Sequence, residues 1–182
     1  MEKMGKIDTS EWGMFHLYDL FEISMGNKFD KTKMTYKQNG INFIGRSYMN
    51  NGVATSVDYV LDKKTNVEVK PYKAGDITIA MGGSIGSAFI QEKDFYTSQN
   101  VCVLHTNNQS VTFHAKLFVI ASIQASCANY EAFVDELNRH IKTDFIIYLP
   151  IDNDGNPNWK YMSEYMRDIE ARTCDKISRL CD

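Results

Sequence analysis

The thirty residues AGDITIAMGGSIGSAFIQEKDFYTSQNVCV, Ala74 to Val103, decide how the rest of the chain is read. A Gly75-Asp76 turn signal opens them. The apolar run Ile77-Thr78-Ile79-Ala80-Met81 that follows has the length of a buried or half-buried strand. Gly82-Gly83-Ser84-Ile85-Gly86 then interrupts it, where missing Cβ atoms allow a tight bend or a close approach by another molecule. Ala88-Phe89-Ile90 returns from the bend. Polar Tyr96-Thr97-Ser98-Gln99-Asn100 leads into Val101-Cys102-Val103-Leu104. The pattern predicts a strand meander with a glycine corner.

Upstream, Trp12 to Ile23 is dense in aromatic and aliphatic residues and predicts a core anchor made of a short strand and a helical turn. Ser24 to Gln38 reads as a polar loop. Ile41 to Ile44 and Val53 to Leu61 read as strands, joined by the polar turn-forming loop Gly45 to Gly52. Asp62 to Lys73 reads as a charged hairpin or loop. Downstream the period changes: Phe113, Leu117, Ile120, Ala121 and Gln124 predict a helix through about Ala128, and Tyr130 to Ile141 repeats the signal. Phe145 to Leu149 is a buried strand stopped by Pro150. After an Asp152–Pro157 turn, a last helix starts near Asn158. Its residues Trp159, Met162, Met166, Ile169 and Thr173 step by 3, 4, 3 and 4, a narrow heptad-like seam that suits a partner and a helix lying on its own domain equally well.

The chain has 182 residues, 43% of them hydrophobic and 12% aromatic, enough for one domain with a core. Net charge is −3, which argues mildly against a nucleic-acid binder, but the charge is uneven. Lys28 to Lys73 carries nine basic against four acidic residues, while Cys127 to Asp182 carries seven against eleven. A basic half can hold phosphates, and a solvated lysine-rich surface fits equally well. The four cysteines form no CxxC pair, so a zinc site is not expected. With no apolar leader and no run of about 18 apolar residues, a cytoplasmic protein with reduced thiols and no membrane contact is expected.

No chemistry-bearing constellation emerges. Gly82–Gly86 matches neither GxxxxGK[ST] nor GxGxxG. The four histidines have no HExxH spacing, and Ser84 sits in no GxSxG frame. Asp152-Asn153-Asp154-Gly155 resembles part of a calcium loop, but Ser163 stands where the twelfth-position Glu belongs. Asn156-Pro157-Asn158-Trp159 is superficially similar to an amino-methyltransferase motif without its glycine-rich cofactor strand. No catalytic residue, metal or cofactor is expected.

WGMFHLYDLFEISMGNKFD (12–30), INFIGRS with NNGV (41–53), GDITIAMGGSIGSAFIQ (75–91), FYTSQNVCVL (95–104) and the closing FIIYLP, DGNPNW and YM together resemble one target-recognition domain of type I restriction-modification specificity subunits. They are similar also to recognition subunits of systems that join cleavage and methylation in one assembly. The resemblance runs from about Trp12 to Tyr165. It implies an α/β (α+β) domain, a mixed, twisted sheet with flanking helices that enters the major groove. It also implies helices that dock a methyltransferase, and no chemistry of its own. A full subunit of that family carries two such domains separated by long helices, so this chain corresponds to a half-subunit, a single-site subunit or a fragment. Residues 1–157 are expected to form the recognition domain and 158–182 a spacer-type assembly helix.

The DNA-binding candidates are Lys28, Lys31, Lys33, Arg46, Ser47, Asn50, Asn51, Ser84, Tyr96, Ser98 and Gln99, the residue types that reach base edges and phosphates. Asn50-Asn51-Gly52 also suits a plain turn, and Tyr96 a packing role. The partner-binding candidates are Trp159, Met162, Met166 and Ile169. Expected partners are double-stranded DNA, a methyltransferase subunit, a restriction subunit and a second copy of the chain. Two other readings remain: a small catalytic or cofactor-binding domain of a DNA methyltransferase, and a pure assembly module.

Overall fold

A computed structural model of the chain describes residues 7–128 and 137–181. In order these form β1 (Gly13–His16), α1 (Leu17–Leu20), β2 (Glu22–Ser24), β3 (Tyr36–Ile44), β4 (Val53–Val57), β5 (Ile77–Ala80), β6 (Ala88–Ile90), β7 (Phe95–Thr97), β8 (Val101–His105), α2 (Phe113–Cys127), α3 (Leu137–His140), β9 (Ile146–Leu149) and α4 (Trp159–Cys181). Most of the helix expected over Tyr130–Ile141 lies outside the described residues. The rest is the mixed α+β architecture expected.

The strands form three small sheets. β2-β8-β5-β6 is antiparallel throughout, with β5 buried along its whole length. β4-β3-β7 is mixed, and β1 pairs with β9. The expected meander is broken at one strand. β7 leaves the path between β6 and β8 and pairs in parallel with β3, matching Asn42 to Phe95 and Ile44 to Thr97. Burial on both faces explains the detour. Phe95 packs with Ile44, Val101 and Val103, whereas Tyr96 packs with Phe43 and Val57. A strand covered on both sides carries no alternation to read.

The glycine corner serves the chain's own packing. Gly83 and Gly86 sit at φ +68° and +77°, where side chains strain. A Cβ on Gly86 would lie 2.6 Å from the Cβ of Cys127, so the bare glycine lets α2 press on the sheet. α2 begins at Thr112, whose hydroxyl accepts the Ala115 N–H at 3.2 Å. Its residues Ala115, Phe118, Val119, Ile123 and Cys127 are buried in the main core with Ile77, Ile79, Leu104 and Leu149.

α4 corrects an expectation. Met162 is 0% exposed and belongs to its own domain's core. Uncovering such a side chain costs about 1.5–3 kcal/mol, so it is not free for a partner. Trp159, Tyr165 and Met166 pack beside it, half-buried, and Tyr165 meets Phe118 edge-on at 5.8 Å. Thr112 and Ser163 join the two helices through a 2.6 Å hydroxyl bond. Past Ile169 the helix is exposed, including Ile177 at 55% and Leu180 at 85%.

Candidate nucleic-acid interface

Two loops far apart in sequence meet around Arg46. The first, between β3 and β4, closes with Gly45 N–H on Gly52 O at 2.8 Å and Gly52 N–H on Met49 O at 2.9 Å. Asn50, Asn51 and Gly52 are all left-handed, at φ 50°, 51° and 77°. Asparagine tolerates this conformation better than other side chains, which is why the Asn-Asn-Gly triplet bends here. The Ser47 hydroxyl accepts the Met49 N–H at 3.0 Å, and Asn50 Nδ2 donates to Val53 O at 3.1 Å. The second loop is the glycine corner, whose Ser84 N–H points at Arg46 O across 3.4 Å. A Cβ on Gly83 would come within 3.3 Å of that carbonyl. A Cβ on Gly82 would lie 3.7 Å from Arg46 Nη1 and 3.5 Å from Asn100 Nδ2. Arg46, Asn50, Asn51 and Asn100 are exposed, with Ser47 and Ser84 half-buried beneath them. Arg46 has no acidic partner among the described residues, so its planar fork is available.

A groove of about 800 Å³ lies on the other side of the Ser98–Asn100 turn. Phe29, Met34, Val60 and Val69 line it, and Lys28, Lys33, Lys63 and Lys64 stand around it with Gln99. Asp30, Asp58 and Asp62 line it too, and each is locally engaged. Asp30 accepts from Thr32 and lies 3.5 Å from Lys33. Asp58 pairs with Lys37 at 2.9 Å. Asp62 takes the Thr65 and Lys64 amides, both at 2.9 Å. These hydrogen bonds hold all three carboxyls below the usual aspartate range, led by the Thr32 side chain, the Lys37 side chain and the Thr65 amide respectively. Lys28, Lys63 and Lys64 have no acidic partner within ion-pair distance among the described residues.

The sequence candidates divide accordingly. Arg46, Ser47, Asn50, Asn51 and Ser84 come together at the loop pair, and Lys28, Lys33 and Gln99 at the groove. Lys31 is exposed on the short turn beside the groove and does not line it. Ser98 is half-buried; its N–H caps β3 at Ile44 O, 2.8 Å away. Tyr96 is corrected: it is 0% exposed and presents nothing to a ligand. Its hydroxyl donates to Val69 O at 2.5 Å and accepts the Val60 N–H at 3.4 Å, and burial pushes its pKa above the usual tyrosine value. It fastens the hairpin that carries Lys63 and Lys64. Sequence reading passed over those two lysines, although they lie in the basic span, and passed over Asn100.

A basic groove beside a polar, glycine-supported loop pair, on a mixed α+β frame, has the chemistry of a nucleic-acid recognition module. The chain belongs to the type I restriction-modification DNA specificity domain family, whose model matches residues 9–179. It is 27% identical over 167 residues to the specificity subunit S.BcgI of a type II restriction enzyme from Heyndrickxia coagulans, covering 92% of this chain and 46% of that protein. The fold matches the HsdS subunit of Thermoanaerobacter tengcongensis with a TM-score of 0.60 at 14% identity, over 94% of this chain and 40% of that one. It matches the type I S subunit of M. genitalium with a TM-score of 0.56 at 12% identity, over 94% and 43%. The chain thus spans about half the length of the curated relative it matches. Among the described residues no helix is long and apolar enough to cross a membrane, and no cluster of His, Cys, Asp and Glu is suited to a metal ion.

Proposed function

We propose that this chain reads one short stretch of duplex DNA for a restriction-modification system and performs no chemistry itself. Arg46, Asn50, Asn51, Ser84 and Asn100 address base edges in the major groove, where guanine offers O6 and N7 to a planar guanidinium. Lys28, Lys33, Lys63 and Lys64 hold the adjoining phosphates. The observation that carries this reading is the meeting of the Gly45–Gly52 and Gly82–Gly86 loops around Arg46, which has no acidic partner among the described residues, next to a groove whose lysines outnumber its carboxylates. The test is the salt dependence of DNA binding. Each lost phosphate contact flattens the slope of log K against log salt by about 0.9. Lys63→Glu with Lys64→Glu is therefore expected to flatten it by about 1.8 and to weaken binding to every sequence. An unchanged slope in a folded variant refutes the assignment.

The same reading supplies the partners: a modification subunit, a restriction subunit and a second copy. What supports the second copy is the stripe Met166, Ile169, Thr173, Ile177, Leu180 on α4. Its spacings, 3, 4, 4 and 3, are symmetric about Thr173. Two antiparallel α4 helices crossing there set Ile177 opposite Ile169 and Leu180 opposite Met166. These enter the apolar groove of about 780 Å³ between α2 and α4 that Phe118, Ala121, Tyr165, Met166 and Ile169 line. Antiparallel helix dipoles attract, and a twofold dimer makes the target palindromic with a fixed spacer.

A further inference from the structure

Gln91 takes no part in either surface, yet it is tied to one of them. It follows β6 and is 1% exposed. Its backbone is held on both sides, by Gln91 N–H on Asp76 O at 2.9 Å and Gly75 N–H on Gln91 O at 2.7 Å. Its side chain crosses to a segment forty residues away: Nε2 donates to Asn51 O at 3.0 Å and to Thr78 Oγ1 at 2.8 Å. Thr78, itself 1% exposed, passes its own hydroxyl proton toward Phe89 O at 3.4 Å. The result is a directed chain. The β6 carbonyl polarises the Thr78 hydroxyl, the hydroxyl takes one amide proton of Gln91, and the other grips the loop carbonyl.

The grip falls where the loop needs it. Asn51 is the middle of three successive left-handed residues, a run that persists only when the surroundings determine it. Its carbonyl points inward, and among the described residues no other hydrogen-bond donor reaches it. Releasing it lets the peptides around Asn51 and Gly52 rotate, which swings the Asn50 side chain and loosens the Gly45–Gly52 closure under Arg46.

We infer that Gln91 is a positioning residue for sequence discrimination: it anchors the Asn51 carbonyl to the buried β5–β6 hairpin and so fixes Arg46 and Asn50 for base reading. This rests on the reading of the loop as the base-contacting element. The inference concerns discrimination only, because the lysine groove is braced separately through Tyr96.

The experiment uses the full chain and a duplex selected from a randomised library by the wild type. Gln91→Met keeps the length and removes the amide; Gln91→Glu keeps the shape and, read at a pH where the carboxyl is ionised, removes both donors. Thr78→Val removes the relay hydroxyl at nearly constant volume and serves if neither Gln91 variant folds. Two quantities are read: amide hydrogen exchange at residues 45–52 without DNA, and affinity for the selected duplex against random duplex. The expected result is faster exchange in the loop and an about tenfold lower affinity for the selected duplex, the worth of one buried hydrogen bond. Affinity for random duplex and its salt slope stay at wild-type values. Equal losses on both duplexes make Gln91 merely structural and overturn the inference, as does a wild-type affinity ratio. If the wild type itself discriminates nothing, the proposed function fails instead, and unchanged loop exchange without DNA then overturns the anchoring on its own.

Discussion

Tyr96→Phe separates a buried hydroxyl's work from that of its ring. Phenylalanine keeps the edge-on contact with Phe29, at 5.4 Å and 63°, and the packing against Phe43 and Val57. What disappears is the 2.5 Å bond to Val69 O, together with the long 3.4 Å bond from Val60 N–H, which contributes little at that distance. Leaving a fully buried carbonyl unpaired costs about 1–3 kcal/mol; Val69 is half-buried, so about 2 kcal/mol is the upper value here. At about 2–4 °C per kcal/mol for a chain of this size, Tm falls by up to about 4–8 °C. The damage is concentrated where the hairpin between Val60 and Val69 joins the sheet; its internal bonds, Val69 N–H to Val60 O, Asp62 N–H to Val67 O and Asn66 N–H to Asp62 O, all at 2.8 Å, remain. Lys63 and Lys64 ride on that hairpin, so DNA must re-order it on binding. Affinity for all duplexes is expected to drop by up to about 30-fold, the equivalent of 2 kcal/mol, while the ratio between selected and random duplex stays at the wild-type value. Thermal melting and fluorescence anisotropy on both duplexes measure these quantities. A variant that melts lower yet binds random DNA as tightly as the wild type refutes the link between Tyr96 and the lysines. So does one that changes the ratio.

Arg46→Ala is expected to cost about 1–3 kcal/mol on a selected duplex and far less on random DNA, with unchanged Tm; equal losses on both would make Arg46 a phosphate contact. Ile177→Glu with Leu180→Glu is expected to abolish self-association in sedimentation velocity while the circular dichroism spectrum holds. A wild type that is monomeric at every concentration would remove the second copy from the reading. His105 Nδ1–H donates to the Asp76 carboxylate at 2.7 Å, and this bond raises its pKa above 6.5. A raised folded-state value means that the stabilisation is complete below about 6.5 and is lost as pH rises through the folded value. The melting difference between wild type and His105→Gln is therefore expected to shrink as the buffer is taken upward from pH 6; a difference independent of pH would show that the pair does not titrate with folding.

Much of the secondary structure follows from local rules. Ile77–Ala80 between a Gly-Asp turn and a glycine corner makes a strand with little alternative, and the 3–4 spacing after Thr112 makes α2. Pro150 stops β9 one residue past Leu149, and Asn158 precedes α4, as the turn chemistry of 152–157 requires. The family itself was also carried by local wording, because its short motifs keep their order along nearly the whole chain.

Burial and partnership were settled only in three dimensions. Tyr96 and Gln99 stand three residues apart in one polar stretch, yet one is a sealed strut and the other lines a groove, because β7 turns away to pair with β3. Met162 and Ile177 look alike on a helical wheel, but the first is sealed in the core with α2 and the second is 55% exposed, uncovered by any described residue. Lys63 and Lys64 carry no sign in sequence that a hydroxyl 32 or more residues away will hold them beside Lys28. Gln91 and Asn51 are partners across forty residues. The sequence by itself determined which segments become strands and helices, since backbone preference and hydrophobic period act over a few neighbours. The tertiary structure decided which polar side chains face DNA and which hold the loops that do, since a hydrogen bond between remote residues depends on where the packed core places their backbones.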